Sequence, residues 1–244
     1  MLISTNKQIN SIFSGSLNKE PLYFSKRNQA KTELKAISFE SVENNDTLQP
    51  FDRLVFFAIL THTQSGGGVV SLPYLYRIIT GVKTPISGKT RTAMRESIER
   101  LSKVILQPVR HKTSKDKEKS DRKPLIIYSE NEKGFLFENS YFLMIINDFN
   151  TARTIPPEML TKQRKSNKML LIEYDFIARL FYLHKSKKKT VSIKQDINLY
   201  CERYRITANN KPKVKRFLTA VCNHLQQIGF IKSFDFSGDL IEVS

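Results

Sequence analysis

Apolar positions along this chain follow one pattern that is stated twice. Residues 51–106 and 174–230 share it at an offset of about 122 to 124 residues. Each stretch opens with an aromatic–Asp pair leading into an apolar helix, Phe51-Asp52-Arg53-Leu54 in the first and Tyr174-Asp175-Phe176-Ile177 in the second. A short β-like run follows, VVSL at 69–72 and TVSI at 190–193. A short amphipathic helix and a polar break come next, and a longer basic helix closes each stretch. In the first closing helix Met94, Ile98, Leu101 and Ile105 recur at i, i+4, i+7 and i+11, which is one helical face. In the second the same role falls to Leu218, Cys222 and Leu225, ahead of an Ile228-Gly229-Phe230 ending.

Punctuation between these runs predicts the elements. Residues 1–46 are polar and weakly periodic and read as a flexible N-terminal arm. Pro50 sits where a helix opens and a missing N–H costs least, LVFFAIL (54–60) is apolar on nearly every side and so belongs to a buried helix, and Gly66-Gly67-Gly68 ends it. Ser71 is the expected N-cap of LPYLYRIIT and Gly81 its C-cap. The next helix spans about 87–104. The runs ILQPVRH (105–111) and PLIIYS (124–129) read as a hairpin with a twelve-residue polar tip, and FLFENSYFLMII (135–146) as a further strand or strand pair. Pro156-Pro157 and the basic run Lys162, Arg164, Lys165, Lys168 mark a domain boundary. The second half repeats the scheme with helices near 170–184, 193–204 and 211–228. It ends in a short hairpin turning at Ser237-Gly238-Asp239. The expected architecture is α+β: an arm at 1–46, a first domain at 47–154 and a second at 155–244. Each domain is a helical core with a β-hairpin wing, which is how a winged helix-turn-helix reads in sequence.

Charge narrows the function. Forty basic against 23 acidic residues leave a formal net charge of +17, and self-repulsion of that size opposes compaction without a polyanionic partner. Nucleic acid fits best. No segment reaches the ~18 apolar residues needed to cross a bilayer, and MLISTNKQIN lacks the charged start and apolar core of a signal peptide, so the cytoplasm is the expected location. Cys201 and Cys222 fall on predicted helices and read as reduced, half-buried thiols.

The basic charge is concentrated at helix starts. Residues 203–216 hold Arg203, Arg205, Lys211, Lys213, Lys215 and Arg216 and no acid. Cations there oppose the helix dipole and are not there for helix stability, and this is the end of a recognition helix that enters a major groove. The first half repeats the arrangement with Lys89, Thr90, Arg91, Thr92 and Arg95. Arg95 and Arg216 suit bidentate pairing with guanine, and the lysines suit phosphate. Lys112, Lys115, Lys117 and Lys119 belong to a loop, 110–123, with a net charge of +4. As a wing tip that loop would follow the DNA backbone or minor groove, and otherwise it is a solvated loop.

Catalytic signals are weak. Ser87-Gly88-Lys89-Thr90 resembles the end of a phosphate-binding loop, but the nearest preceding glycine, Gly81, is at the wrong spacing and a helix precedes it. His62, His111, His184 and His224 form no ligand pair, so no metal site is expected. No pair of carboxylates stands out among apolar residues. Neither an enzyme nor a cofactor is expected.

Taken together, LQPFDRLVFFAILTH with GGGVVSLPYLYRIITG, the basic SGKTRTAMRESIERL helix, and TVSIKQDINLY with NNKPKVKRFLTAVCNHLQQIGFIKSF resemble the twin winged-helix plasmid replication initiators over about residues 48–244. That resemblance implies a protein that binds repeated duplex-DNA sites at an origin and starts replication of a plasmid or similar element. It also implies host replication proteins as partners and leaves room for a homodimer. The alternatives are a transcriptional regulator of the same architecture, a strand-nicking replication enzyme and a basic protein of RNA assemblies.

Overall fold

The computed structural model describes residues 2–3, 12–13, 22–27, 34–81, 83, 85–111, 117–138, 140–148, 153–162, 165–186 and 192–244. The chain forms two units. The first is built from Leu2–Ile79 and Lys83–Thr154, and the main body of the second is Ile155–Ser244.

The first unit begins with β1 (Leu2–Ile3), β2 (Leu22–Arg27) and β3 (Leu34–Glu43). Residues 1–46 are therefore not simply a flexible arm. Ile12 is fully buried, Phe13 packs 5.5 Å from Phe56, and β3 pairs along both its edges, with β2 and with a later strand. The period-2 signal was hidden because the register shifts between Phe39 and Val42, and a bulge breaks the alternation. α1 (Pro50–Gln64) opens as expected, with Pro50 in its first turn. Phe51 and 54–60 are all buried on it, and Phe56 and Phe39 both pack against Phe142. After the three glycines come β4 (Val69–Val70), α2 (Leu72–Thr80) and α3 (Gly88–Lys103). The Ser71 hydroxyl faces the Tyr74 amide at 3.4 Å, and Ser87 accepts from the Thr90 amide at 3.2 Å.

Beyond α3 the strands pair differently from the sequence expectation. β5 (Ile105–His111) lies beside β3, and also pairs with β6 (Lys117–Lys119) and β7 (Lys123–Pro124). The run 124–129 partners 105–111 only at Pro124, opposite Ile105, while the expected polar tip supplies β6. The latter part of the run enters β8 (Ile127–Asn131), which turns back into β9 (Gly134–Glu138), and β9 also pairs with β4. The result is a three-stranded sheet in the order β4-β9-β8, separate from the larger sheet β2-β3-β5-β6. Asn131 Oδ1 makes the turn by accepting from the Lys133 and Gly134 amides at 2.9 and 3.1 Å. Gly134 is obligatory there. Its φ is +142°, and a Cβ would sit 2.3 Å from the Val70 carbonyl oxygen. Only the front of 135–146 is strand. Ser140 then caps α4 (Tyr141–Asp148) through the Leu143 amide, and Phe142, Leu143, Ile145 and Ile146 are buried at helical spacing. β10 (Arg153–Thr154) closes the unit against β1.

The second unit contains α5 (Asn167–Ser186), β11 (Ile193–Asp196), α6 (Ile197–Arg203), α7 (Lys211–Gln227), β12 (Phe234–Ser237) and β13 (Leu240–Val243). The strand expected at 190–193 lies instead at 193–196, and Asp196 caps α6 through the Asn198 amide at 2.8 Å. Its sheet order is β11-β13-β12. With β1–β3, β5–β7, α4 and β10 of the first unit set aside, both units run helix, strand, helix, helix, strand, strand, with the last strand in the middle of the small sheet. The closing helices agree in detail. Met94, Ser97, Ile98 and Leu101 are buried on α3, and Leu218, Val221, Cys222 and Leu225 on α7, at identical spacing. That register sets Lys89 against Lys213, Arg91 against Lys215 and Thr92 against Arg216.

The leading aromatic–Asp pairs are not equivalent. Asp52 is fully buried in the first turn of α1. It accepts from Arg100 Nε and Nη2 of α3, both at 2.8 Å, and from the Gln49 amide at 2.8 Å. These bonds hold the Arg100 guanidinium above its ordinary pKa. Asp175 lies midway along α5 and holds Arg203 Nη1 at 2.8 Å together with the Tyr204 hydroxyl. Two residues away, Glu173 is also buried. It accepts from the Thr161 amide at 2.8 Å and pairs with Lys165, whose ammonium burial pushes below its ordinary pKa. A pair of carboxylates among apolar residues therefore does exist, and each is committed to a structural partner. Cys201 and Cys222 are free and buried, more deeply than expected.

Candidate nucleic-acid interface

The start of α3 carries Lys89, Thr90, Arg91 and Thr92. The sequence places them there because Ser87 supplies the cap and Met94 fixes which face turns inward. No acidic residue lies in the first turn. Lys89, Arg91 and Thr92 are exposed and have no ion-pair partner among the described residues, whereas the Thr90 hydroxyl lies 3.0 Å from the Ser87 hydroxyl. Arg95, one turn on, is engaged. Its Nη1 pairs with Glu130 of β8, and its guanidinium carbon lies 5.4 Å from the centre of the Phe135 ring of β9.

On α7 the division is similar. Lys213 and Arg216 are exposed and unpaired among the described residues. Lys211 pairs with Asp239 in the β12–β13 turn, and Lys215 Nζ donates to the Gly238 carbonyl at 2.9 Å while lying 5.2 Å from the Phe236 ring centre. Asp239 is a junction. Its backbone oxygen accepts from the Ile197 amide at 2.9 Å, its carboxylate faces Asn198 Nδ2 at 3.3 Å, and the Lys211 hydrogen bond holds that carboxyl below its ordinary pKa. Of the rest of the basic run, Arg203 is committed to Asp175. Arg205 is exposed with φ +49°, and its carbonyl accepts from Lys168 Nζ at 3.0 Å.

The lysine-rich stretch 110–123 belongs to a hairpin that directly follows α3, β5 with β6 and β7, but this hairpin is part of the larger sheet and is distinct from the β8–β9 hairpin of the small sheet. Lys117 and Lys119 stand on β6, at the edge of the larger sheet, and Arg122 pairs with Glu43 at 2.8 Å. Lys112 and Lys115 lie outside the described residues. The expected site residues therefore split into three groups, the starts of α3 and α7, the cations held by the hairpins, and the β6 edge, with Arg205 apart in the turn after α6. Sequence reasoning missed the holding partners Glu130, Phe135, Phe236 and Asp239. Among the described residues no helix is long and apolar enough to cross a membrane.

The sequence matches no protein-family model and no curated protein. Two solved structures of RctB show a distant likeness. One, of RctB domains 2-3, aligns with a TM-score of 0.39 at 14% identity, covering 92% of this chain and 91% of that one. The other, of selenomethionine derivatives of domain 2 and domain 3 of RctB, aligns with a TM-score of 0.38 at 13% identity over 91% and 90%.

Proposed function

We propose that this chain is a non-enzymatic, sequence-specific duplex-DNA-binding protein that starts replication of a plasmid or similar element through two tandem winged-helix domains. The observation that carries the reading is the repetition. Two units that share a core of one element order and one sheet order each present, at the start of the third helix, cations unpaired among the described residues, Lys89 and Arg91 in one, Lys213 and Arg216 in the other. In a winged helix that end enters the major groove, the hairpin after it flanks the backbone, and two modules read half-sites about one turn apart, ~34 Å. The net charge of +17 supplies attraction to phosphate. Arg216 is the base-reading candidate, because a free guanidinium pairs bidentately with guanine. Lys89, Arg91 and Lys213 serve as phosphate contacts.

The test is a mobility shift with fragments of the source replicon against random duplex DNA across a salt series. A fragment retained at salt that strips random DNA, and containing repeats beside an AT-rich stretch, supports the initiator reading. Equal loss on every fragment rejects sequence-specific recognition. Tighter binding to structured RNA than to any duplex rejects DNA as the ligand.

A further inference from the structure

We propose that Glu130 and Asp239 are built-in competitors for DNA phosphate, each occupying a third-helix cation until a bound duplex displaces it, so that binding to random sequence is held down. The inference rests on the duplex-DNA reading above.

The same device appears once in each unit, built from different residues. In the first, Glu130 sits on β8 beside the hairpin turn and takes Arg95 of α3. In the second, Asp239 sits in the hairpin turn and takes Lys211 of α7. Both pairs stay accessible to solvent, with side-chain exposures of 56% and 36% for Arg95 and Glu130, and 29% and 43% for Lys211 and Asp239. Exposed pairs of this kind contribute little to stability, so exchanging a carboxylate for a phosphate costs the fold little. An approaching duplex also brings two or more phosphates per contact zone, while a single hairpin carboxylate engages each of Arg95 and Lys211. Nearby Lys89, Arg91, Lys213 and Arg216 have no such competitor among the described residues.

The arrangement also survives opening of the pair. Once Glu130 is displaced, Arg95 keeps its place over the Phe135 ring. Once Asp239 is displaced, the second hairpin is still held by the Ile197 amide on the Asp239 carbonyl and by Lys215 on the Gly238 carbonyl. A freed cation is therefore left on the same face, ready for phosphate. This separates a competitor from a mere strut, because removing a strut loosens the hairpin and weakens binding, whereas removing a competitor strengthens it.

The experiment compares the full chain with Glu130→Gln, Asp239→Asn and the double variant. Asp46→Asn serves as control, since it makes the same charge change at an exposed carboxylate distant in sequence from both third helices. Each is titrated with one random-sequence duplex from ~50 to ~200 mM salt. The expected result is binding roughly three- to ten-fold tighter at ~50 mM salt for each single variant, with a log–log salt slope steeper by about 0.9 per released cation and about twice that in the double. Asp46→Asn keeps the wild-type slope. Wild-type slopes in both single variants, weaker binding, or an equal gain in Asp46→Asn would overturn the proposal. If Asp239→Asn fails to fold, Glu130→Gln in the other unit decides. A wild-type chain that binds no duplex at ~50 mM salt rejects the DNA reading itself and is seen before any variant is made.

Discussion

The two units reach one topology by different physical means. In the first, the hairpin is held by close backbone approach: Gly134 lets β9 pass against the Val70 carbonyl where no side chain fits. In the second, the turn at Gly238 has open space around it, and polar bonds hold it, with Lys211, Asn198 and the Ile197 amide converging on Asp239. The outer faces of the small sheets differ in the same sense. Val69, Ile127 and Leu136 are exposed on the first, whereas Lys194, Ser192 and Glu242 form an ionic and hydrogen-bonded row on the second. The buried acids differ too, since Asp52 is sealed in with its arginine while Asp175 holds an arginine that stays half-exposed. Sheet order is thus compatible with either steric or ionic fixation.

The sharpest way to break the comparison is at the buried acids. Asp52→Ala removes both Arg100 bonds and the Gln49 amide bond, and should destabilise the chain by about 3–5 kcal/mol in a urea titration. Asp175→Ala leaves an arginine that solvent can reach, and should cost about 1–3 kcal/mol. Equal costs would show that the two acids play one role after all. The hairpin glycines come next. Gly134→Ala meets both an unfavourable φ and a backbone clash, for about 2–4 kcal/mol, whereas Gly238→Ala, at φ +60° in open space, should cost about 1–2 kcal/mol. A reversed order in thermal melts would refute the steric account of the first hairpin.

Binding effects follow. Arg216→Glu should weaken retention of a specific fragment by roughly ten-fold or more, and by more than Thr92→Glu at the corresponding place in α3, because of the two only Arg216 offers a free guanidinium. Matching losses would make the two helix starts equivalent readers. The smallest effect concerns protons. Burial pushes the Cys222 thiol from its ordinary 9.0 up to about 12. Between those values the folded chain holds a proton that the unfolded chain releases, so stability is full below about pH 8.5 and falls as pH rises toward 12. Cys222→Ala should flatten that fall relative to wild type. An unchanged alkaline slope would place the cause elsewhere, in Tyr174 or Tyr200, which burial also raises.

Local signals in the chain were enough for the helices other than α4, whose apolar run at 141–146 reads as strand. Pro50, Ser71 and Ser87 mark starts, glycines mark ends, and the spacing of Met94, Ile98 and Leu101 or of Leu218, Cys222 and Leu225 names the buried face. Each of these depends on residues within one or two turns. The Ser237-Gly238-Asp239 hairpin was legible for the same reason. The basic helix starts were equally visible, because charge and position in a helix are both local. Which cations remain free was not. Glu130 claims Arg95, Asp239 claims Lys211 and Asp175 claims Arg203, all through contacts that only folding creates.

Strand partners lay beyond local reading. A strand is stabilised by a neighbour that can come from anywhere in the chain, and its pattern of alternation does not name that neighbour. This is why β3 was hidden behind its bulge, why 105–111 pairs with β3 and β6 and meets 124–129 only at Pro124, and why the lysine-rich loop belongs to the larger sheet. The same reason covers the buried acids. Asp52, Glu173 and Asp175 are ordinary helical residues in sequence, and become structural only when Arg100, Lys165 and Arg203 arrive from elsewhere in the chain. The buried faces of the amphipathic helices and the basic helix starts follow from short-range physics, whereas sheet partners, the identity of α4 and β3, buried ion pairs and the occupancy of each surface cation follow from long-range contacts that the folded chain alone brings together.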